Sequence, residues 1–153
     1  MRFRGITKLS IDAKGRLAMP KNHRDRLEEN GVSELVVTAD PGRCLVVYPR
    51  PVWEDVEQKL NELPNSSRAT RAIQRLYIGY ATDIELDGTG RMLLPTELRE
   101  YASLDRKAVL IGQGKKFELW DEQTWQVESE KWKNEVNEMD PADMPEELQN
   151  ISF

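Results

Sequence analysis

Cysteine and histidine occur once each in the 153-residue chain, as Cys44 and His23. A lone thiol cannot close an internal disulfide, and one thiol with one imidazole cannot build a Cys- or His-based zinc site. No apolar run approaches the roughly 20 residues a membrane helix needs, and the start Met1-Arg2-Phe3-Arg4-Gly5 lacks the apolar stretch of a secretory signal. The chain is therefore expected to remain in the cytoplasm, with no metal, no cofactor and no membrane partner.

Signals for catalysis are also scarce. Gly112-Gln113-Gly114-Lys115-Lys116 lacks the Gly-x-x-x-x-Gly-Lys-Ser/Thr spacing of a phosphate loop and reads as a hairpin turn. Cys44 lies in an apolar strand with no histidine assigned nearby, which suits a buried structural thiol better than a nucleophile. Glu28-Glu29 and Glu146-Glu147 read as solvated pairs. The expectation is a protein that is not an enzyme.

What is present is a core-forming composition, 39% hydrophobic and 32% charged, with its charge unevenly spread. Residues 1–26 carry eight Lys/Arg and two acids, whereas residues 121–153 carry ten acids and two lysines. The net charge of −5 thus conceals a basic beginning and an acidic end. Screening over about 8 Å lets a basic segment keep its own field on an acidic chain.

Self-similarity organises the rest. Leu9–Arg24 aligns with Ile84–Arg99 at an offset of 75, with Asp12/Asp87, Gly15/Gly90, Arg16/Arg91, Pro20/Pro95 and Arg24/Arg99 identical. Apolar positions agree too, as in Leu17/Met92 and Met19/Leu94, and Trp53 matches Trp125 further on. The chain reads as residues 1–50 (first repeat), 51–80 (helical insertion), 81–125 (second repeat) and 126–153 (acidic helix and tail).

Within each repeat, Asp-x-x-Gly suits a tight turn in which the carboxylate accepts backbone N–H groups and glycine supplies positive φ. The turns predict hairpins of Thr7–Ile11 with Arg16–Met19 and of Thr82–Leu86 with Arg91–Leu94. Pro20 and Pro95 then open short helices, Lys21–Glu29 and Thr96–Ala102. Strand pairs follow, Glu34–Ala39 with Cys44–Tyr48 and Ala108–Gly112 with Lys116–Trp120. In the insertion, Val52, Val56, Leu60 and Leu63 stripe one helix, and Ala69, Ala72, Ile73, Leu76 and Tyr77 are the expected buried face of the next. Arg68, Arg71 and Arg75 would then line its other face, either solvated or touching a phosphate or an acidic neighbour.

Two such units can bury one another if their hairpins interleave about a pseudo-twofold axis. Arg16 and Arg91 then become a matched outward pair, able to reach phosphates or to fork onto guanine O6 and N7. Lys14 lies on the first turn, and Arg2, Arg4, Lys8, Lys21, Arg24 and Arg26 add a flank that could neutralise backbone phosphates, with Arg99 a further DNA-binding candidate. Equally, Asp12–Arg16 and Asp87–Arg91 could be ion pairs that clamp the turns, and both roles are compatible. Gly15, Gly90, Pro20 and Pro95 read as structural. His23 is assigned only a helix face.

Asp12-Ala13-Lys14-Gly15-Arg16-Leu17-Ala18-Met19-Pro20 and Asp87-Gly88-Thr89-Gly90-Arg91-Met92-Leu93-Leu94-Pro95 resemble the motif of the SpoVT/AbrB-type swapped-hairpin DNA-binding domains. The tandem copies, with Gln74-Arg75-Leu76, Phe117-Glu118-Leu119-Trp120-Asp121 and Trp125, resemble the MraZ family over nearly the whole chain. The resemblance implies an α+β, mainly β fold, with a double-ψ/swapped-hairpin, β-barrel-like core built from two tandem repeats and peripheral helices. It further implies a nucleoid-associated transcriptional regulator, usually a repressor, that forms ring-shaped homo-oligomers. Its partner would be double-stranded DNA, as short direct repeats upstream of its own division and cell-wall gene cluster. The competing reading is an antitoxin-like protein-interaction module whose arginines bind an acidic protein surface.

Overall fold

The computed structural model describes residues 1–153. They form two compact units, residues 1–122 and 123–153. In the first, β1 (Phe3–Ser10), β2 (Arg16–Ala18), α1 (Lys21–Glu29), β3 (Glu34–Asp40) and β4 (Cys44–Pro49) come from the first repeat. Helices α2 (Arg50–Glu62) and α3 (Arg68–Tyr77) follow, and then the second repeat supplies β5 (Thr82–Glu85), β6 (Arg91–Leu93), α4 (Thr96–Tyr101), β7 (Lys107–Gly114) and β8 (Lys116–Asp121). The second unit holds most of α5 (Glu122–Glu138), a 3-10 turn at Pro141–Asp143 and the short α6 (Glu146–Gln149).

The strands exchange partners between repeats. One antiparallel six-stranded sheet runs β1-β7-β8-β4-β3-β5, and β2 pairs with β6 in a separate two-stranded ribbon. The order is unchanged when each strand is replaced by its counterpart in the other repeat, which is the signature of a pseudo-twofold axis between β4 and β8. The strands do not close into a barrel, since β1 and β5 are open edges.

The predicted hairpin ladders are therefore corrected. β1 does not ladder with β2; it pairs with β7 along its length, from Phe3 opposite Gly114 to Ser10 opposite Lys107. Only the turn is hairpin-like, with Asp12 N–H donating to the Arg16 carbonyl at 2.9 Å. Exchange lets β1 lie on the long β7, whereas the three-residue β2 could satisfy only a fraction of its backbone groups.

Burial follows the pleat. Leu35, Val37, Leu45, Val47, Leu110, Phe117 and Leu119 face one side of the sheet and enclose Leu17, Met19, Met92 and Leu94 from the ribbon region, with Leu27 of α1 and Leu98 of α4. The alternate residues Val36, Val46 and Tyr48 pack on Trp53 of α2. The central strands β3 and β4 are thus buried on both faces and read as near-continuous apolar runs.

Helix α1 spans the predicted residues, and Ser67 caps α3 by accepting from Thr70 N–H. The burial expected of α3 needs correction, because Ala69, Ala72 and Ile73 are exposed and only Leu76 and Tyr77 are partly covered. Tyr77 fixes the helix through one edge: its hydroxyl donates to Asp40, and its carbonyl accepts from Thr38.

Candidate nucleic-acid interface

Each Asp-x-x-Gly-Arg segment builds the same small device. Asp12 Oδ1 accepts the N–H groups of Lys14 (3.0 Å) and Arg16 (2.9 Å), while Gly15 N–H donates to the Asp12 carbonyl at 3.0 Å. In the second copy, Asp87 Oδ1 accepts from Thr89 and Arg91, both at 2.9 Å. Gly15 and Gly90 sit at φ +87° and +77°, where a side chain would be strained.

The arginines extend from these turns. Arg16 Nε donates to Asp12 Oδ2 at 2.8 Å and Arg91 Nε to Asp87 Oδ2 at 3.1 Å. The clamp is real, yet it uses Nε and leaves the side chains 32% and 38% exposed. Backbone N–H donation from Arg16, followed by its guanidinium and Lys14 N–H, holds the Asp12 carboxyl below its ordinary value. Asp87 is lowered in the same way, first by Arg91 N–H and then by the Thr89 hydroxyl. Both carboxylates stay charged at any physiological pH.

The β2–β6 register brings the pair together. Arg16 lies opposite Leu93, Leu17 opposite Met92 and Ala18 opposite Arg91. Leu17 and Met92 point into the core, so Arg16, Ala18, Arg91 and Leu93 share the outward face. Arg16 and Arg91 are diagonal neighbours with Cα atoms about 7–8 Å apart. They are neither entombed nor on opposite poles.

The other expected contacts divide. Arg24 Nε donates to the Met19 carbonyl (2.9 Å) and Arg99 Nε to the Leu94 carbonyl (3.0 Å), each at the end of a ribbon strand. Each guanidinium also lies against the turn glycine of the other repeat, so both brace the ribbon as well as flanking it. Lys14 rises from the first turn and is exposed. Arg4 lies six residues up β1 from Ser10 and Arg2 just before the strand begins, roughly 20 Å or more from the turn at the rise of an extended strand, and there the Arg2 carbonyl accepts from Arg26. Lys8 sits nearer and leans toward Glu122 at 4.0 Å. Proximity in sequence therefore overstated the basic patch, because an extended β1 carries its own charges away from the ribbon.

His23 is buried, not merely on a helix face. Its ring packs on Phe117 (4.8 Å between centroids) and Phe3 (5.7 Å), and burial, aided by nearby Arg26, pushes its pKa down. Its spacing of four from Leu27 was the available signal.

Asp40, Cys44 and Glu118 bring three potential ligand atoms within 4.8 Å of one another. Burial, together with the charges of Asp40 and Glu118, pushes the Cys44 thiol up, and Asp40 already accepts from Cys44 and Tyr77. A protonated thiol and an occupied carboxylate fit a hydrogen-bonded core better than a cation.

The family described as "MraZ protein, putative antitoxin-like" matches residues 2–76 and 77–146. The chain belongs to the MraZ family. The match repeats once per half, each copy taking in the helices that follow the strands. Among relatives of the MraZ family, Transcriptional regulator MraZ of Thioalkalivibrio sulfidiphilus is 54% identical, covering 89% of this chain and 91% of the relative. The proteins of that name from Nitrosomonas europaea (48%, covering 99% of each chain) and Pseudomonas aeruginosa (49%, covering 97% and 98%) extend the similarity nearly end to end. These MraZ relatives carry the name of a regulator, not of an enzyme. No helix of the chain is long and apolar enough to cross a membrane.

Proposed function

We propose that the chain is a sequence-specific regulator of transcription that binds double-stranded DNA through the β2–β6 ribbon. The observation that carries this reading is the diagonal placement of Arg16 and Arg91 on one outward face, each held by its own aspartate. A guanidinium anchored at Nε still presents its terminal nitrogens, the geometry that suits guanine O6 and N7. Lys14, Arg24 and Arg99 stand around the ribbon as phosphate contacts, while Arg2, Arg4 and Lys8 serve at most a more distant stretch of backbone.

Two arginines specify little sequence, since each good bidentate contact discriminates by about 1–3 kcal/mol. Specificity then comes from repetition: a ring of subunits on short direct repeats gains through effective concentration. In this reading the protein is nucleoid-associated and represses the division and cell-wall gene cluster downstream of those repeats. Footprinting on the DNA upstream of its own gene tests it. Protection at regularly spaced repeats is expected, and indifference to their number or spacing would overturn the ring mechanism.

The second reading, prompted by the words "putative antitoxin-like" in the family's description, is a protein-interaction module whose arginines bind an acidic protein surface. Salt separates the two readings. Phosphate neutralisation lowers log K with log salt by about 0.9 for each contact.

A further inference from the structure

We propose that Leu93 reads the 5-methyl group of thymine and thereby makes each subunit read DNA in one direction. The inference rests on the DNA-binding reading above and deepens it.

Four side chains form the outward face of the ribbon, and they do not obey the pseudo-twofold axis. That axis exchanges Arg16 with Arg91, but it exchanges Leu93 with Ala18 and Lys14 with Thr89. Leu93 is 55% exposed and lies directly opposite Arg16, whereas Arg91 has only the methyl of Ala18 opposite it. Packing does not explain the leucine. Its neighbours Met92 and Leu94 supply the buried contacts of this strand, and the equivalent position in β2 folds into the same ribbon with alanine.

A large apolar side chain between two cations is poorly suited to a phosphate, which offers only charge and hydrogen-bond acceptors. It is well suited to a base edge. In the major groove the apolar group on offer is the thymine C5-methyl, beside the acceptors that arginine takes from guanine. The arginines' separation of about 7–8 Å spans roughly two base-pair steps of 3.4 Å, which places the leucine among the same few pairs. Because Leu93 has no counterpart, turning the subunit end for end on the duplex loses the methyl contact. A site read in this way is not palindromic, and successive copies must lie head to tail.

The test selects duplexes from a randomised 30-base-pair pool with the full chain, then resynthesises the tightest with deoxyuridine in place of each thymidine in turn. Loss of one buried methyl should weaken binding about fourfold at one or two positions. Leu93→Ala should bind the parent duplex about fourfold more weakly and ignore uracil at those positions. Ala18→Leu combined with Leu93→Ala should move the sensitive position to the base pair related by the axis. Uniform tolerance of uracil by the parent chain, or unchanged uracil sensitivity in Leu93→Ala, would overturn the inference while leaving DNA binding intact. Failure to enrich any duplex would overturn the DNA reading itself.

Discussion

Arg24, on the first repeat's helix, lies so close to Gly90 of the second repeat that a Cβ built there would come within 2.3 Å of its Cδ. The relationship is reciprocal, since a Cβ on Gly15 would fall 2.7 Å from Arg99 Nε. Backbone bonds run the same way, from Met19 N–H to the Gly90 carbonyl and from Leu94 N–H to the Gly15 carbonyl, both at 2.9 Å. Each repeat thus finishes the other's turn.

Gly15→Ala should be destabilising twice over, through positive φ at about 1–2 kcal/mol and through the clash with Arg99. Adding Arg99→Ala relieves the clash but not the positive φ, and by itself costs the Nε donation to the Leu94 carbonyl. Urea titrations of the single and double variants should therefore show a coupling of about 0.5–3 kcal/mol, with the double variant less damaged than the singles sum to.

Arg16→Ala and Arg91→Ala should each reduce the magnitude of the log–log salt slope of DNA binding by about one. Their melting temperatures should stay close to the parent's, because exposed ion pairs contribute little to folding. Fluorescence anisotropy across a salt series, with thermal melts alongside, checks both. A large loss of stability would show that these arginines act only as clamps.

Asp12→Asn keeps an oxygen for the Lys14 and Arg16 N–H groups but loses the ionic grip on Arg16, whereas Asp12→Ala loses both. Thermal melts should rank parent and Asn close together, with Ala lower. DNA affinity should fall for both variants, because a freed guanidinium must be ordered when it binds.

His23 predicts a pH dependence with a definite sign. Its pKa in the fold is lowered below the unfolded value of 6.5, so the unfolded chain binds the extra proton more readily. The stability this group supplies is complete above about pH 7.5 and declines as pH falls through 6.5 toward the folded pKa. Melting temperatures measured from pH 8 to 5.5 should fall for the parent. The part of that fall due to the only histidine should vanish in His23→Phe.

The duplication was readable because its constraints are local. Glycine at positive φ, an aspartate that caps its own turn and a proline before a helix each leave a residue type at a fixed spacing, and the 75-residue offset repeats them. Partner choice leaves no such mark. The alternation along β1 says that one face is buried but not against which strand, so β7 was invisible and β2 was the default expectation. Covering is likewise nonlocal: α3 has an apolar stripe, yet Ala69, Ala72 and Ile73 stay exposed and only Leu76 and Tyr77 are partly covered. The Arg16–Arg91 pairing was legible through the repeat. The remoteness of Arg2 and Arg4 was not, since it depends on where an extended β1 leads.

The exchanged first strand has a consequence during synthesis. Phe3–Ser10 finds its ladder only in residues 107–114, about a hundred residues later in translation. At roughly 5–20 residues per second, that leaves β1 waiting on the order of 5–20 s after it emerges from the ribosome. Until then it is a naked template for any neighbouring nascent chain, which makes this interval the one in which a chaperone has most to protect.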